Sequence, residues 1–278
     1  MSSLNQPFSG GPTLNDGRTM PWLGLGVWQT KEGEEVINAV KWAVEYGYRS
    51  IDTAAGYQNE NGVGQAIREC GVPRDELFIT TKLWNKDQGY ETTLKAYEES
   101  RSKLGLDVID LYLIHWPVAG KYRESWKALV HLQKEGYVKS IGVSNFQIHH
   151  LKDIIEDTGV VPAVNQVEFH PLLTQRELRK YTREQGIQLE AWSPLMQGNL
   201  DLPLLKELAA KYGKTPAQII LRWDLQQGVV TIPKSVRKER IQENAGFFDF
   251  TLSDEDVAAL EALNENRRFG PDPDNFNF

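Results

Sequence analysis

The stretch Val108-Ile109-Asp110-Leu111-Tyr112-Leu113-Ile114-His115 decides the fold. It is a very apolar, β-rich run that ends in a polar side chain, and it is one of eight such runs in the chain. The other seven are Leu23–Val27, Tyr48–Asp52, Leu77–Lys82, Val138–Val143, Ala163–Glu168, Ile187–Trp192 and Val229–Ile232. Apolar residues with helical spacing lie between the runs, for example at Val36, Ala39, Val40 and Ala43. Strands that alternate with helices imply parallel βαβ units.

The length of the chain favours closing these units into a barrel. A chain of 278 residues is long enough for two domains, but it also suits a single barrel of roughly 250 residues. No linker and no short-period repeat interrupts the alternation of strands and helices. We therefore predict an α/β fold, a (β/α)₈ TIM barrel, in a single domain that spans residues 1–278.

Three segments lie outside the simple repeat. Leu14–Thr19 contains Asp16-Gly17, which readily takes the positive φ angles of a type I′ turn, so it predicts an N-terminal hairpin that closes the bottom of the barrel. Thr215-Pro216 places a capping residue before proline and predicts a helix to about Gln226. Thr251–Glu255 opens another helix near the end. We count these two helices as additions to the barrel.

Composition limits the classes of function. Cys70 is the only cysteine, so no internal disulfide is possible and a reducing, cytoplasmic location is expected. No apolar run of about 18 residues predicts a membrane span, and Met1–Gly11 lacks the apolar core of a signal peptide. The formal net charge of −7 argues against nucleic acid as a partner. We expect a small-molecule substrate as the partner. We also expect the protein to be a monomer.

The histidines do not predict a metal site. His131, His149, His150 and His170 show no metal-ligand spacing, and the chain has no HExxH motif, cysteine pair or carboxylate cluster. We interpret the adjacent His149 and His150 as surface residues that face opposite sides of their element. We therefore expect no bound metal.

Polar side chains close the predicted strands in unusually regular succession. They are Asp52, Lys82, His115, Ser144-Asn145, Gln166-Val167-Glu168, Trp192-Ser193 and Lys234-Ser235. In a barrel of this kind, side chains at the carboxyl ends of strands point into the mouth of the active site. Any one of them has a structural explanation, such as capping the next turn. Seven strand ends in succession favour a functional site.

Asp52, Lys82 and His115 come from adjacent strands, and Tyr57 follows Asp52 in the next loop. A lysine beside a carboxylate stays charged, and its ammonium should lower the pKa of a nearby phenol toward neutrality. Tyr57 would then donate a proton to a developing alkoxide, and His115 would orient a carbonyl oxygen. Taken alone, His115 fits a core or capping role equally well. Together the four residues predict a proton donor with a supporting shell.

The last strand end is basic. Lys234-Ser235 is followed by Arg237, Lys238 and Arg240, and barrel enzymes commonly bind phosphate near the loops after strands seven and eight. A solvated charge run is the alternative. A clamp for the 2′-phosphate of NADPH suits the pattern better. The Gly24-Leu25-Gly26 segment lacks the third glycine of a dinucleotide fingerprint, because position 29 is Gln29, so a Rossmann fold is not favoured.

A flat ring and two amides complete the cofactor prediction. Trp192 offers a face for a stacked ring, and Asn145 and Gln166 offer the donor and acceptor groups that a carboxamide needs. Packing of Trp192 in the structure is the competing explanation. We predict a nicotinamide stacked on Trp192 and held by these amides.

These residues lie in motifs that resemble the aldo-keto reductases over nearly the whole chain. The motifs are Gly24-Leu25-Gly26-Val27-Trp28, Asp52-Thr53-Ala54-Ala55-Gly56-Tyr57, Thr81-Lys82-Leu83-Trp84, Leu111-Tyr112-Leu113-Ile114-His115-Trp116-Pro117, Gly142-Val143-Ser144-Asn145-Phe146, Asn165-Gln166-Val167-Glu168, Trp192-Ser193-Pro194-Leu195 and Ile232-Pro233-Lys234-Ser235. The segments Glu190–Gly198 and Gly270–Asp274 are similar to the bacterial branch, which includes enzymes like 2,5-diketo-gluconate reductase and glyoxal or methylglyoxal reductase.

The resemblance implies a catalytic tetrad of Asp52, Tyr57, Lys82 and His115, with Tyr57 as the acid. It implies NADPH contacts from Val27, Trp28, Asp52, Ser144, Asn145, Gln166, Trp192, Ser193, Leu195, Gln197, Gly198, Ile232, Lys234, Ser235, Val236, Arg240, Glu243 and Asn244. Within that set, Lys234, Ser235 and Arg240 would take the 2′-phosphate, and Glu243 and Asn244 would lie near the adenine. Substrate contacts are implied for Trp28, Tyr57, Trp84, His115 and Trp116.

The chain departs from the better-known animal members in three places. The stacking residue is Trp192 where those members have tyrosine, and the loop at about Val118–Lys121 and the C-terminal tail are both short. We therefore expect an open pocket that tolerates small carbonyl compounds. The predicted function is NADPH-dependent reduction of aldehydes and ketones. Two alternatives are an NADPH-binding regulatory or redox-sensing barrel with little turnover, and a barrel hydrolase or lyase that acts on phosphorylated sugars.

Overall fold

A computed structural model describes residues 10–278. Residues 1–9 of the predicted domain lie outside the described residues. They include most of Met1–Gly11, the segment predicted not to be a signal peptide. Within residues 10–278 no helix has both the length and the apolar character needed to cross a membrane.

Eight parallel strands form one sheet in the order of the sequence, which confirms the predicted barrel. The strands are β1 (Gly24–Gly26), β2 (Ser50–Asp52), β3 (Phe78–Leu83), β4 (Ile109–Ile114), β5 (Val138–Ser144), β6 (Val164–Glu168), β7 (Gln188–Trp192) and β8 (Val230–Thr231). Parallel bridges from Leu23 to Thr231 and from Gly26 to Lys234 join the last strand to the first. All eight lie within the β-rich runs read from the sequence or differ from them by one residue.

Ten α-helices lie within residues 10–278. They are α1 (Glu34–Glu45), α2 (Glu60–Glu69), α3 (Tyr90–Leu104), α4 (Tyr122–Lys134), α5 (Ile148–Thr158), α6 (Arg176–Glu184), α7 (Pro203–Tyr212), α8 (Pro216–Gln226), α9 (Lys238–Ala245) and α10 (Asp254–Glu261). The residues predicted to lie on one face of α1, including Val36, Ala39 and Val40, are fully buried. The helices therefore cover the barrel with apolar faces, as parallel strands require.

The two additional helices are not both the predicted ones. α8 begins with the predicted Thr215 cap, but it is the helix that supports β8: its Asp224 accepts a hydrogen bond from the Thr231 hydroxyl at 2.9 Å. α7 packs chiefly against α8, whereas α8 also packs against β8 and the next helix, α9, so α7 is the extra helix in this interval. The second extra helix is α10, as predicted.

The N-terminal hairpin is present, but its turn differs from the prediction. Thr13 and Thr19 form an antiparallel bridge, and Gly17 takes a φ of 85°. Asp16 does not take a positive φ, so the turn is not type I′. Instead, its carboxylate accepts hydrogen bonds from the Arg18 N–H and from the Ser140 hydroxyl at 2.6 Å. These contacts attach the hairpin near the amino end of β5, at the bottom of the barrel.

Candidate active site

The predicted tetrad meets at the carboxyl ends of β2, β3 and β4. Lys82 is fully buried, and its Nζ lies 2.5 Å from Asp52 Oδ1 and 2.9 Å from the Thr53 carbonyl oxygen. The same ammonium lies 3.4 Å from the Tyr57 hydroxyl. The Tyr57 and His115 rings are in edge contact, with centroids 5.6 Å apart. The structure thus brings all four residues together.

The surroundings fix the charge of each group. Burial lowers the pKa of Lys82, but the Asp52 carboxylate and the Tyr57 hydroxyl raise it by more. The pKa of Lys82 is therefore above its ordinary value, and the ammonium stays charged. Burial raises the pKa of Tyr57 above its ordinary value, with Lys82 acting in the opposite direction. Burial, together with Lys82, holds the pKa of His115 well below its usual range. At neutral pH the site therefore combines an ammonium, a protonated phenol and a neutral imidazole.

The pKa of Tyr57 differs from the sequence-based expectation. That reasoning considered the ammonium and predicted a pKa falling toward neutrality, but it omitted the cost of ionising a phenol away from water. The desolvation effect is the larger one here. A phenol that keeps its proton is still suited to giving it away when negative charge develops nearby.

The amides predicted to hold a carboxamide lie beside the tetrad. Gln166 is buried at the end of β6, and its Nε2 donates to Asp52 Oδ2 at 2.7 Å. Asn145 follows β5 with a φ of 64°, a left-handed conformation that asparagine tolerates. Its Nδ2 donates to the His115 carbonyl oxygen at 2.9 Å and to Ser144 Oγ at 3.1 Å. Ser144, Asn145 and Gln166 therefore form one polar edge.

Trp192 is half-buried at the end of β7, and its indole N–H donates to Asn145 Oδ1 at 2.8 Å. A Cβ at Gly270 would lie 2.3 Å from Trp192 Cη2, so the C-terminal tail passes against this ring where only glycine fits. Glu168 holds the tail there, because its carboxylate accepts the backbone N–H groups of Phe269 and Gly270 at 2.6 and 3.2 Å. The ring predicted to stack on a nicotinamide is thus fixed on two sides.

The predicted phosphate end is basic, and three of its four cations have no acidic partner among residues 10–278. Lys234, Arg237 and Arg240 are exposed, and none of them enters an ion pair with another residue of the described chain. Lys238 differs, because its Nζ lies 3.0 Å from Glu45 Oε2. Ser235 and Asn244 are buried, whereas Glu243 is exposed. Unpaired cations beside the start of α9 fit a phosphate group.

Aromatic side chains surround His115 at the mouth of the barrel. Trp84 contacts the His115 ring edge-on at 5.2 Å, and Trp116 is buried. The tail brings two further rings: Phe276 lies 5.2 Å from Trp116, and Phe278 stacks on Trp84 at 6.2 Å. The short tail, which was expected to leave the pocket open, therefore contributes two rings to this mouth. Trp28, 47% exposed, follows β1 and leaves one side accessible.

Comparison with known proteins agrees with this geometry. The model of the aldo/keto reductase family matches residues 22–265. The chain belongs to that family. It is 59% identical over 266 residues to the glyoxal reductase of Bacillus subtilis, covering 95% of this chain and 96% of that protein. It is 54% identical over 268 residues to the methylglyoxal reductase DkgA of Escherichia coli, covering 95% and 96%.

A solved structure is also similar to this aldo/keto reductase over nearly its whole length. The crystal structure of a Gox0644 mutant in complex with NADPH superimposes with a TM-score of 0.92 at 48% identity, covering 96% of this chain and 98% of that one. The predicted family, its bacterial branch and the barrel are thereby confirmed. The protein is an oxidoreductase of the aldo/keto reductase family.

The prediction for the adjacent histidines was wrong on two points: His150 is not a surface residue, and the two rings do not face opposite sides, because their centroids lie 3.9 Å apart. The His150 ring is buried in edge contact with Tyr122 and Phe146, and only His149 is exposed. His149 Nε2 and His150 Nε2 lie 3.2 and 3.7 Å from Asp274 Oδ1 in the tail. His150 Nδ1 accepts the Gln147 N–H, so Nε2 carries the proton and faces a carboxylate. We interpret this cluster as a polar contact between α5 and the tail.

Sequence reasoning missed three groups that shape the site. Phe276 and Phe278 belong to a tail that was described only as short, although two aromatic residues in an otherwise Pro- and Asn-rich tail indicate a docking segment. Glu168 was treated as a strand end, not as the anchor of the tail. Glu190 was quoted only within a motif. Its signal was a carboxylate two residues before Trp192, in a strand with little other polarity.

Proposed function

We propose that this protein uses NADPH to reduce small aldehydes and ketones to alcohols, with Tyr57 as the general acid. The observation that carries the proposal is the buried Lys82 ammonium, which lies between the Asp52 carboxylate and the Tyr57 hydroxyl. A buried ion pair seldom adds stability over apolar packing, so its place beside a phenol favours an electrostatic role in catalysis.

The residues divide the work as follows. NADPH, when bound, supplies the hydride. Tyr57 gives its proton to the carbonyl oxygen, and Lys82 stabilises the negative charge left on the phenolic oxygen. Asp52 keeps Lys82 charged and in place. His115, neutral at neutral pH, hydrogen-bonds the carbonyl oxygen and orients it.

The cofactor would lie along the edge that runs from β5 to α9. Ser144, Asn145 and Gln166 would bind the carboxamide, and Trp192 would stack on the nicotinamide ring. Further contacts would come from Val27, Trp28, Ser193, Leu195, Gln197, Gly198, Ile232 and Val236. Unpaired Lys234 and Arg240, with Ser235, suit the 2′-phosphate, which distinguishes NADPH from NADH. Glu243 and Asn244 would contact the adenine.

The aromatic pocket suits small carbonyl substrates. Trp28, Trp84 and Trp116 would contact the substrate, and the similar glyoxal and methylglyoxal reductases support an α-oxoaldehyde such as methylglyoxal. Aromatic aldehydes and keto-sugars are further candidates that would contact the same rings.

We also propose that the chain acts as a single-domain monomer in the cytoplasm. The single cysteine and the acidic net charge support this proposal over nucleic-acid or membrane partners.

The test follows absorbance at 340 nm with NADPH or NADH against methylglyoxal, an aromatic aldehyde and a diketo-sugar acid. We expect turnover with NADPH. Tyr57→Phe should lower kcat by about 10²- to 10⁴-fold with NADPH affinity nearly unchanged. Tyr137→Phe, at an exposed tyrosine, is the matched control. Near-normal turnover of Tyr57→Phe would refute the assignment of the acid. Tight NADPH binding without turnover of any carbonyl would favour a regulatory barrel instead.

A further inference from the structure

A second buried carboxyl group, Glu190, adjoins the tetrad. It lies on β7 opposite Gln166 of β6 in the sheet register, and it is fully buried. Gln166 Nε2 donates to Glu190 Oε2 at 2.8 Å and to Asp52 Oδ2 at 2.7 Å. A continuous chain of contacts therefore runs from Glu190 through Gln166, Asp52 and Lys82 to Tyr57.

The surroundings of Glu190 favour the neutral acid. Its second oxygen, Oε1, is buried and has no hydrogen-bond partner among residues 10–278, and no cation forms an ion pair with it there. Asp52 already neutralises the nearest ammonium, that of Lys82. Burial, and then the charge of Asp52, raise the pKa of Glu190 to about 8, against the opposing effects of Gln166 and Lys82.

Two carboxyl groups determine how the Gln166 amide is turned. An amide nitrogen has two hydrogens, and here both go to carboxyl oxygens, one of Asp52 and one of Glu190. The carbonyl oxygen is the polar atom of that amide left for another partner. With only Asp52 as acceptor, the amide would lose one of the two contacts that fix its plane.

We propose that Glu190 is a positioning residue that fixes the orientation of the Gln166 amide as a neutral carboxylic acid. In this form it places no second negative charge beside the Asp52–Lys82 pair. This inference rests on the proposed function, because it assigns Gln166 to the nicotinamide carboxamide. Glu190 touches neither substrate nor reacting atoms in this scheme. It acts through Gln166.

Ionisation of Glu190 has a defined sign. The groups that face it are Asp52 of β2, Lys82 of β3 and Tyr57, while its register partner on β8 is the apolar Val230. When pH rises through about 8, Glu190 loses its proton and a negative charge appears beside Asp52. That charge raises the pKa of Tyr57 and makes the phenol a weaker acid. It also repels Asp52 across the shared amide.

The experiment compares wild type with Glu190→Gln and Glu190→Leu. Asp224→Asn is the matched control, because Asp224 is a fully buried carboxyl with a raised pKa that accepts a hydrogen bond from Thr231, away from Lys82. NADPH affinity is measured by fluorescence titration between about pH 6.5 and 9.5, and kcat over the same range. Infrared spectroscopy at neutral pH measures the carbonyl stretch of protonated carboxyl groups.

We expect wild type to lose affinity and kcat as pH rises through about 8. Glu190→Gln offers Gln166 a neutral acceptor of the same shape, so it should match wild type at neutral pH and lack that loss. Glu190→Leu should weaken NADPH binding by about five- to tenfold at neutral pH, because the amide is no longer fixed. Part of the protonated-carboxyl band should vanish in Glu190→Gln, and a different part in Asp224→Asn.

Two results would overturn the inference: an alkaline loss in Glu190→Gln equal to that of wild type, or an unchanged carboxyl band in that variant. If Glu190→Leu fails to fold, Glu190→Gln still decides the question. The infrared band needs neither cofactor nor turnover. If the wild type reduced no carbonyl compound, the proposed function would be refuted. A loss of the carboxyl band in Glu190→Gln would still show that Glu190 is protonated.

Discussion

The indole N–H of Trp192 donates a hydrogen bond to Oδ1 of Asn145, across the ends of β7 and β5, at 2.8 Å. The same asparagine donates to the carbonyl oxygen of His115 at 2.9 Å. One amide thereby links the ring proposed to stack on the nicotinamide to the strand end that carries the histidine. Any change at Trp192 should affect both.

Trp192→Phe should weaken NADPH binding by about five- to tenfold, because it keeps an aromatic face but removes the hydrogen bond that fixes the ring. Fluorescence titration with NADPH measures the change. Trp42→Phe, at a half-buried tryptophan of α1, is the control for the loss of one indole. Equal affinities for the two variants would contradict the role of this hydrogen bond.

Arg240→Ala should raise the Kd for NADPH by at least about tenfold and leave the Kd for NADH nearly unchanged. The reason is that Arg240 and Lys234 have no acidic partner in the described chain, so their charges are available for a phosphate. Calorimetric titrations with both cofactors provide the measurement. Lys238→Ala is the control, since Lys238 is already paired with Glu45. An equal loss for NADPH and NADH would place the 2′-phosphate elsewhere.

The barrel and the position of its active-site mouth could be predicted from the sequence, because they follow from the alternation of strands and helices and from the polar residues at the strand ends. Each strand end that gave a polar residue, such as Lys82 or Gln166, proved to lie at the barrel mouth, because parallel strands in register share one edge. The extent to which each side chain is buried was harder to predict. Desolvation of Tyr57 and Glu190 depends on how many neighbours exclude water, and that number is not visible in a linear spacing.

The tail shows the same limit for contacts distant in sequence. Asn85 donates to the carbonyl oxygen of Phe278 at 3.0 Å, and these residues lie 193 positions apart. Nothing in the local pattern of either segment specifies such a pairing. Helix α7 was not predicted, although Pro203 at its start is typical of the first turn of a helix.

Phe278→Ala should raise KM for an aromatic aldehyde more than for methylglyoxal, by roughly five- to tenfold against less than about twofold. Phe278 stacks on Trp84 and contacts Trp116 edge-on at 5.3 Å, so it forms the wall that a larger ring would touch. Steady-state kinetics at saturating NADPH give both constants. Phe250→Ala, at a half-buried ring beside Tyr212, is the control. A uniform change in KM for both substrates would argue against this contact.

The free energy of unfolding should fall as pH drops below about 6.5, in part because His150 is buried as the neutral imidazole. Burial, and then the neighbouring His149, lower the pKa of His150 to about 4, with Asp274 opposing them. The unfolded chain therefore binds a proton between about 6.5 and about 4 that the folded chain excludes, and stability is lost across that window as pH falls. Urea unfolding at about pH 7.5 and about pH 5 should show a smaller difference for His150→Asn than for wild type. His149→Asn, at the exposed neighbour, is the control, and an identical difference in wild type and His150→Asn would mean that another group is responsible for the acid sensitivity.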